Sequence, residues 1–252
     1  GEVAAVGSDV KHIKEGDRAT ADINTACGHC EYCRNNQKLF CPKILQIGVH
    51  THGGLADYVI APAENIYILP KNMPFNHAAY IEPLACAIHG QKRIQVDVGE
   101  TVLILGAGPM GLTHTALSKR RGAGQVLVSE PNKKRREIAH KLGSDKEFDP
   151  TDSGTIDLIM EATNGRGADV VIEAVGSSVT YKQSFDLVRR GGKILAYGAA
   201  ATDAVVEIKP FEIYAKELTI VGSYAGSYET WPAAIALISS GGFDPSLIID
   251  TE

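Results

Sequence analysis

Between Thr101 and Gly222 the chain repeats one pattern. Short apolar, β-branched runs open near Thr101 (TVLIL), Gln125 (QVLVSE), Lys146 (KEF), Asp169 (DVVIEAV), Lys193 (KILAY) and Leu218 (LTIVG), about every 20 to 25 residues. The runs are mostly apolar rather than alternating, as in strands covered on both faces. Helical patterns fill the intervals. In the clearest, Asn132 to Leu142, the residues Ile138, Ala139 and Leu142 form one apolar stripe, most charges face away, and Gly143 offers a stop. Strand, helix, strand at this period predicts βαβ units with right-handed crossovers. Six strands so joined predict an α/β, doubly wound parallel sheet.

The first 80 residues behave differently. Segments such as GEVAAVG, GGLADYVIAPAEN and IYILP are short and punctuated by Gly, Pro and Asn, which predicts an irregular all-β domain. A helix from about Pro83 to Arg93, with proline in its first turn, leads into the repeating region. After Tyr228 the pattern predicts a further helix over 230–239 and a strand-like SLIID. These changes divide the chain into 1–82, 83–240 and a final 241–252 that starts a return to the first domain.

Composition narrows the class. The 252 residues carry 44% hydrophobic and 22% charged side chains and a net charge of −5, an ordinary globular balance. No run reaches the roughly 18 consecutive apolar residues of a membrane-spanning helix, and no basic-then-apolar leader opens the chain. A cytoplasmic protein without a membrane partner is expected. The mild acidity argues against a nucleic-acid partner, whose phosphates demand concentrated positive charge. The one basic cluster, Lys133 to Arg136, runs straight into Glu137, and residue 1 is Gly rather than Met.

Strand TVLIL runs into GAGPMG, which sets Gly106, Gly108 and Gly111 in G-x-G-x-x-G spacing with Pro109 placed to start a helix. In this Rossmann fingerprint the first glycine permits a tight turn, the second lets backbone approach a pyrophosphate, and the third lets helix pack close to strand. N–H groups of the helix's first turn then face the phosphates. The next strand ends at Glu130, where a carboxylate can accept from a ribose hydroxyl and would repel the 2′-phosphate of NADP, so NAD is the expected cofactor. Lys133 and Lys134 crowd the following helix start. A solvated face explains them most simply, and accommodation of a phosphate is the sharper alternative.

Four of the five cysteines fall in the pattern Cys27-x2-Cys30-x2-Cys33-x7-Cys41. Four thiolates on one short lobe, about residues 26–42, can close a tetrahedral shell around zinc with no open position, which makes the site structural. His29 lies within the loop as a bystander. Cys86 and His89 sit one helical turn apart and read as packing, and His50 and His52 receive no role.

A lobe of this spacing ahead of GAGPMG resembles the zinc-containing medium-chain dehydrogenase/reductase family, which includes alcohol, polyol and threonine dehydrogenases. EGDRATADI, GGLADYVIAP, EPLACAIHG, ADVVIEAVG and GGKILAYG fit the same order along essentially the whole chain, and EPLACAIHG looks most like the polyol and threonine branch. The resemblance implies a GroES-like first domain, and hydride transfer between a small alcohol or polyol and NAD. A catalytic zinc would act as Lewis acid, with Glu82 at or near that metal. Without the resemblance, Glu82 reads as an acidic residue at a helix start. By position, Met110 should face the pyrophosphate and Arg135 the adenosine end. Tyr197, Gly198, Ala199, Ser223 and Tyr224 should approach the nicotinamide half. Dimers or tetramers joined through the last Rossmann strand are also implied.

The family's first catalytic cysteine and its Gly-His-Glu motif lie upstream of the segment matched by GEVAAVG. On that reading the chain is a piece of a longer enzyme, expected to bind NAD and structural zinc but to turn over alcohol poorly. Two other classes stay open: a zinc-independent reductase of the same superfamily, and a non-catalytic dinucleotide-binding protein.

Overall fold

The structure is a computed structural model that describes residues 1–249. The chain divides into two compact units, one formed by Gly1–Cys86 with the residues from Ala225 on, the other by Ala87–Tyr224. Among the described residues no helix is long and apolar enough to cross a membrane.

The first unit has little regular structure. Strands β1 (Ala19–Ala21) and β4 (Ile66–Ile68) pair antiparallel with Ala19 opposite Ile68, and β2 (Asn24–Thr25) pairs with β3 (Leu45–Gln46). Two short helices join them, α1 (Glu31–Arg34) inside the cysteine lobe and α2 (Phe75–Ala79). GGLADYVIAP forms no strand: Leu55, Tyr58 and Ile60 are exposed, and among the described residues no strand lies opposite them. GEVAAVG forms no strand, but Glu2 bridges Arg18 and Val3 exchanges backbone hydrogen bonds with Asp17 and Gly16. Helix α9 (Thr230–Ser239) packs in this unit, where the buried Trp231 ring stacks on Tyr67 at 5.6 Å. The expected strand SLIID is instead a 3-10 turn over Pro245–Leu247, because Pro245 lacks the N–H a ladder needs and Asp244 caps the turn through Ser246 N. Asp250 lies outside the described residues.

The second unit is the doubly wound sheet. Its strands are β5 (Thr101–Leu105), β6 (Gln125–Ser129), β7 (Lys146–Phe148), β8 (Ala168–Glu173), β9 (Val188–Ala196) and β10 (Thr219–Gly222). They run parallel in the order β10-β9-β8-β5-β6-β7, so the order reverses between β5 and β8. The apolar runs are apolar because both faces are covered: Val102–Ile104, Val126–Val128 and Val170–Ile172 are fully buried. On one face Leu103, Leu105, Leu127, Val171 and Ile194 pack with Ile159 of helix α6 (Thr155–Ala162) and with Phe185 and Leu187 of α7 (Ser178–Leu187).

Helix α3 (Ile81–Ile94) leads into this unit, and α4 (Pro109–Arg120) follows β5. Helix α5 (Lys133–Lys141) keeps the predicted stripe, with Ala139 buried. Its start is capped by the Asn132 side chain, which accepts from Arg135 N at 3.2 Å, and Gly143 beyond its end adopts φ +102°. Helix α8 (Pro210–Lys216) precedes the edge strand β10.

Candidate coenzyme and metal sites

The crevice at the carboxyl ends of β5 and β8 is where a doubly wound sheet binds its ligand. Each fingerprint glycine has a distinct steric reason there. Gly106 turns at φ +94°, and a Cβ on it would stand 2.6 Å from Val175 Cγ2. A Cβ on Gly111 would stand 2.0 Å from Gly106 O, so α4 can leave β5 this tightly only without a side chain. At Gly108 nothing lies within 4 Å. That open side faces away from the protein's own atoms, as backbone that a ligand approaches must. Pro109 and Met110 begin α4, whose first turn leaves N–H groups without intrahelical acceptors.

Glu130 closes β6 and is only 4% exposed. Its Oε2 accepts from Ala107 N at 2.7 Å and its Oε1 from Asn132 N at 2.9 Å, while Arg135 Nη1 stands 4.0 Å from Oε1. The carboxylate thus ties the glycine loop to the tip of the neighbouring strand, and each oxygen keeps a second lone pair for another donor. Of the basic cluster, Arg136 is structural: its Nη1 donates to Glu130 O, Pro131 O and Asp149 Oδ2. Lys133, Lys134 and Arg135 remain exposed.

At the other end of the crevice, Tyr197, Gly198 and Ala199 follow β9, and Ser223 and Tyr224 follow β10. Tyr197 packs edge-on against His114 at 4.3 Å between ring centroids. Gly90 on α3 permits this, since a Cβ there would meet Tyr197 Cδ2 at 3.0 Å and His114 Cε1 at 3.2 Å. His114 is fully buried, with Gln91 Nε2 3.2 Å from its Nδ1 and 3.0 Å from Ser118 Oγ. Burial pushes the His114 pKa down to about 3. A histidine that is neutral when folded and ordinary when unfolded contributes stability that is complete above about 6.5 and is lost as pH falls toward 3. Two pH units below that upper limit the loss is about 2–3 kcal/mol. We expect His114→Gln to flatten this acid slope in urea unfolding; a slope as steep as that of the parent counts against it.

This unit also carries surface clefts. One of about 820 Å³ lies against α7 and α8, lined by Ser178, Val179, Lys182, Val205 and Glu212, and does not reach the glycine loop. Another of about 400 Å³ touches Ser129 at the tip of β6, with Pro150, Thr155 and Gln183.

In the first unit the four lobe sulfurs all lie within 4.8 Å of one another. Cys30 and Cys33 are 3.4 Å apart, Cys27 and Cys33 3.9 Å. Zinc–sulfur bonds of about 2.3 Å place tetrahedral sulfurs about 3.8 Å apart, so the donors fit a closed zinc shell. Every cysteine is a free thiol. Cys27 N and Lys43 N point at Cys41 Sγ at 3.5 and 3.4 Å. Backbone hydrogen bonds from His29 and Cys30 hold the Cys27 thiol down at about 6, while desolvation and the bond to Cys30 push Cys33 up to about 12. His29 itself is occupied, its Nδ1 2.7 Å from Cys27 O.

One feature of the lobe was not foreseen from the sequence. Lys38, between Cys33 and Cys41, is 2% exposed and ion-paired with the fully buried Asp22, and its ammonium sits 3.5 Å from the Tyr228 ring centroid. Asp22 Oδ1 also accepts from Asn24 N and Nδ2, both at 2.9 Å.

Glu82 starts α3 with its carboxyl largely buried. Burial, and secondarily the charge of Asp22, raise its pKa, and the Cys86 thiol donates to Glu82 Oε1 at 3.3 Å. Burial likewise raises the Cys86 thiol, so it is a protonated donor. A catalytic zinc takes three protein ligands. Glu82 and Cys86 offer at most two, and the cysteine lobe is the one metal-suited cluster of three or more among the described residues.

The zinc-binding dehydrogenase family profile matches residues 109–240, and the alcohol dehydrogenase GroES-like domain matches residues 1–71. The chain belongs to the zinc-binding alcohol dehydrogenase family. L-threonine 3-dehydrogenase of Caldanaerobacter subterraneus subsp. tengcongensis is 34% identical over 96% of this chain and 69% of the relative. D-arabinitol dehydrogenase 1 of Uromyces fabae is 34% identical with the same coverage. A Sinorhizobium meliloti 1021 protein described as a zinc-binding dehydrogenase and solved bound to NADP superposes with TM-score 0.91 at 33% identity, over 97% of this chain and 72% of that one. The Rossmann and GroES-like assignment made from the sequence therefore holds, and zinc and a nicotinamide dinucleotide are the family's cofactors.

Proposed function

We propose that this dehydrogenase transfers hydride between a secondary alcohol, polyol or threonine-like hydroxyl and NAD, with the coenzyme laid along the carboxyl ends of β6, β5, β8 and β9. The observation that carries this reading is the collision-limited glycine loop, open only at Gly108 and anchored by Glu130. Backbone N–H groups of Gly108 and Met110 hold the pyrophosphate, with Pro109 starting the helix between them, Glu130 and Arg135 meet the adenosine ribose, and Tyr197–Ala199 with Ser223 and Tyr224 line the nicotinamide half. Cys27, Cys30, Cys33 and Cys41 hold a structural zinc, and Glu82 is the carboxylate assigned to the catalytic metal. A metal bound beside Glu82 would supply Lewis-acid polarisation of the substrate hydroxyl, but Glu82 and Cys86 fall short of its three protein ligands, so no step is routed through it. The names of the threonine and arabinitol dehydrogenase relatives support the substrate class.

The edge strand β10 and the exposed Phe211, Tyr214 and Ile220 support a homodimer or homotetramer. Unbridged thiols suit the cytoplasm. Calorimetric titration with NAD and NADP, beside elemental analysis for zinc, tests the cofactor reading. We expect NAD to bind more tightly than NADP and about one structural zinc per chain. A clear preference for NADP overturns the role given to Glu130; binding of neither overturns the function.

A further inference from the structure

Glu173 closes β8 and is fully buried. Its Oε1 collects three donors: Val175 N at 3.0 Å, Gly176 N at 2.9 Å and Thr180 Oγ1 at 2.7 Å. Its Oε2 is buried with no hydrogen-bond partner. That oxygen faces Gly198, where a Cβ would stand 2.6 Å from Oε2 and 2.2 Å from Gly176 N; a Cβ on Gly176 would in turn meet Ala199 O at 2.5 Å. The backbone carbonyl of Glu173 accepts from Tyr197 N at 3.2 Å and Gly198 N at 2.8 Å. The turn after β8 and the end of β9 therefore touch backbone to backbone, with one carboxylate sealed between them.

A group kept only to anchor a turn needs one acceptor, as an amide would supply. Leaving the second oxygen of a buried carboxylate unpaired is costly, more so than for a neutral group, and such an orphan calls for a role. Three donors converging on Oε1 form an acceptor-only pattern. Tyr181 lies beside Glu173: its hydroxyl donates to Gly198 O at 2.6 Å, and its pKa is raised by burial, then by the charge of Glu173 and by hydrogen bonding with it.

We propose that Glu173 is a fixed anionic charge beneath the nicotinamide half of the site, tilting it toward the oxidised, cationic ring over the reduced, neutral one. This rests on the placement of that half over Tyr197–Ala199 given above. Among the described residues no cation pairs with this carboxylate, and the side chain is fully buried, so its field is poorly screened. Charge near a nicotinamide tunes the couple without touching the hydride's path.

Glu173→Gln in the full chain tests this, because the amide oxygen still accepts the three donors while the charge is gone. Dissociation constants for NAD⁺ and NADH are measured by calorimetry. We expect their ratio to move toward NADH on the order of tenfold, about 1.4 kcal/mol of differential interaction. Glu173→Asp provides a second arm that keeps a carboxylate there and should leave the ratio near that of the parent. Equal changes for both redox forms in Glu173→Gln reduce Glu173 to a structural anchor and overturn the proposal. So does a Glu173→Asp ratio shifted as far as that of Glu173→Gln. If neither form binds the unsubstituted protein, the coenzyme reading itself has failed, which is a different result.

Discussion

Gly111→Ala should lose coenzyme binding and stability together, while Gly108→Ala should lose binding alone. The added methyl at position 111 would sit 2.0 Å from Gly106 O and 2.9 Å from Gly106 C, both backbone atoms of a turn already held at φ +94°. No flexible side chain can yield there, so α4 must back away from β5 by about an ångström, and such overpacking costs about 1–3 kcal/mol. The N–H groups of the first turn move with the helix. A displacement of that size is worth about 100-fold where geometry must be tight, so we expect affinity for NADH to fall by at least that factor. At Gly108 the backbone is ordinary, φ −64°, and the space beside it is empty. Alanine there folds without strain and meets only the ligand. Thermal unfolding and NADH titration of both variants separate the two effects. A Gly108→Ala protein with undiminished affinity would move the pyrophosphate elsewhere.

The Rossmann half was legible because its signal is redundant. Apolar runs buried on both faces, helices of matching period, and glycines at fixed offsets each point to the same sheet, and Asn132 and Gly143 mark the two ends of α5 as the pattern predicts. The first unit was harder to read because strands of two or three residues leave almost no period. GGLADYVIAP has the composition of a strand yet stays irregular, since a strand needs a neighbour and composition cannot supply one. The cysteine lobe was readable by ligand count alone. Its buried cation was not, because Lys38 looks like any surface lysine until Asp22, distant in sequence, is placed against it. Glu173 was visible in DVVIEAV as an acid directly after the apolar run Val170–Ile172, where the structure finds burial complete, and that conflict was the available clue.

Breaking the Asp22–Lys38 pair should destabilise the zinc lobe more than any surface change in it. Burial pulls the Lys38 ammonium below its ordinary value against the opposing pull of Asp22. Taking two charges out of water costs about as much as their attraction returns, so each member chiefly makes the other tolerable. Removing one charge strands its partner at 0–2% exposure, and a stranded buried charge costs about 3–5 kcal/mol. We expect Asp22→Asn and Lys38→Met each to lose stability on that scale in urea unfolding. Asp22→Asn should also release zinc at lower chelator concentration, because Lys38 lies on the loop between Cys33 and Cys41 and its ammonium holds that loop against Asp22 and Tyr228. The double variant Asp22→Asn/Lys38→Met should recover much of the loss, since neither charge is then buried alone. Strictly additive losses would mean the two side chains act independently, and the loop would then owe its position to the metal and its four thiolates.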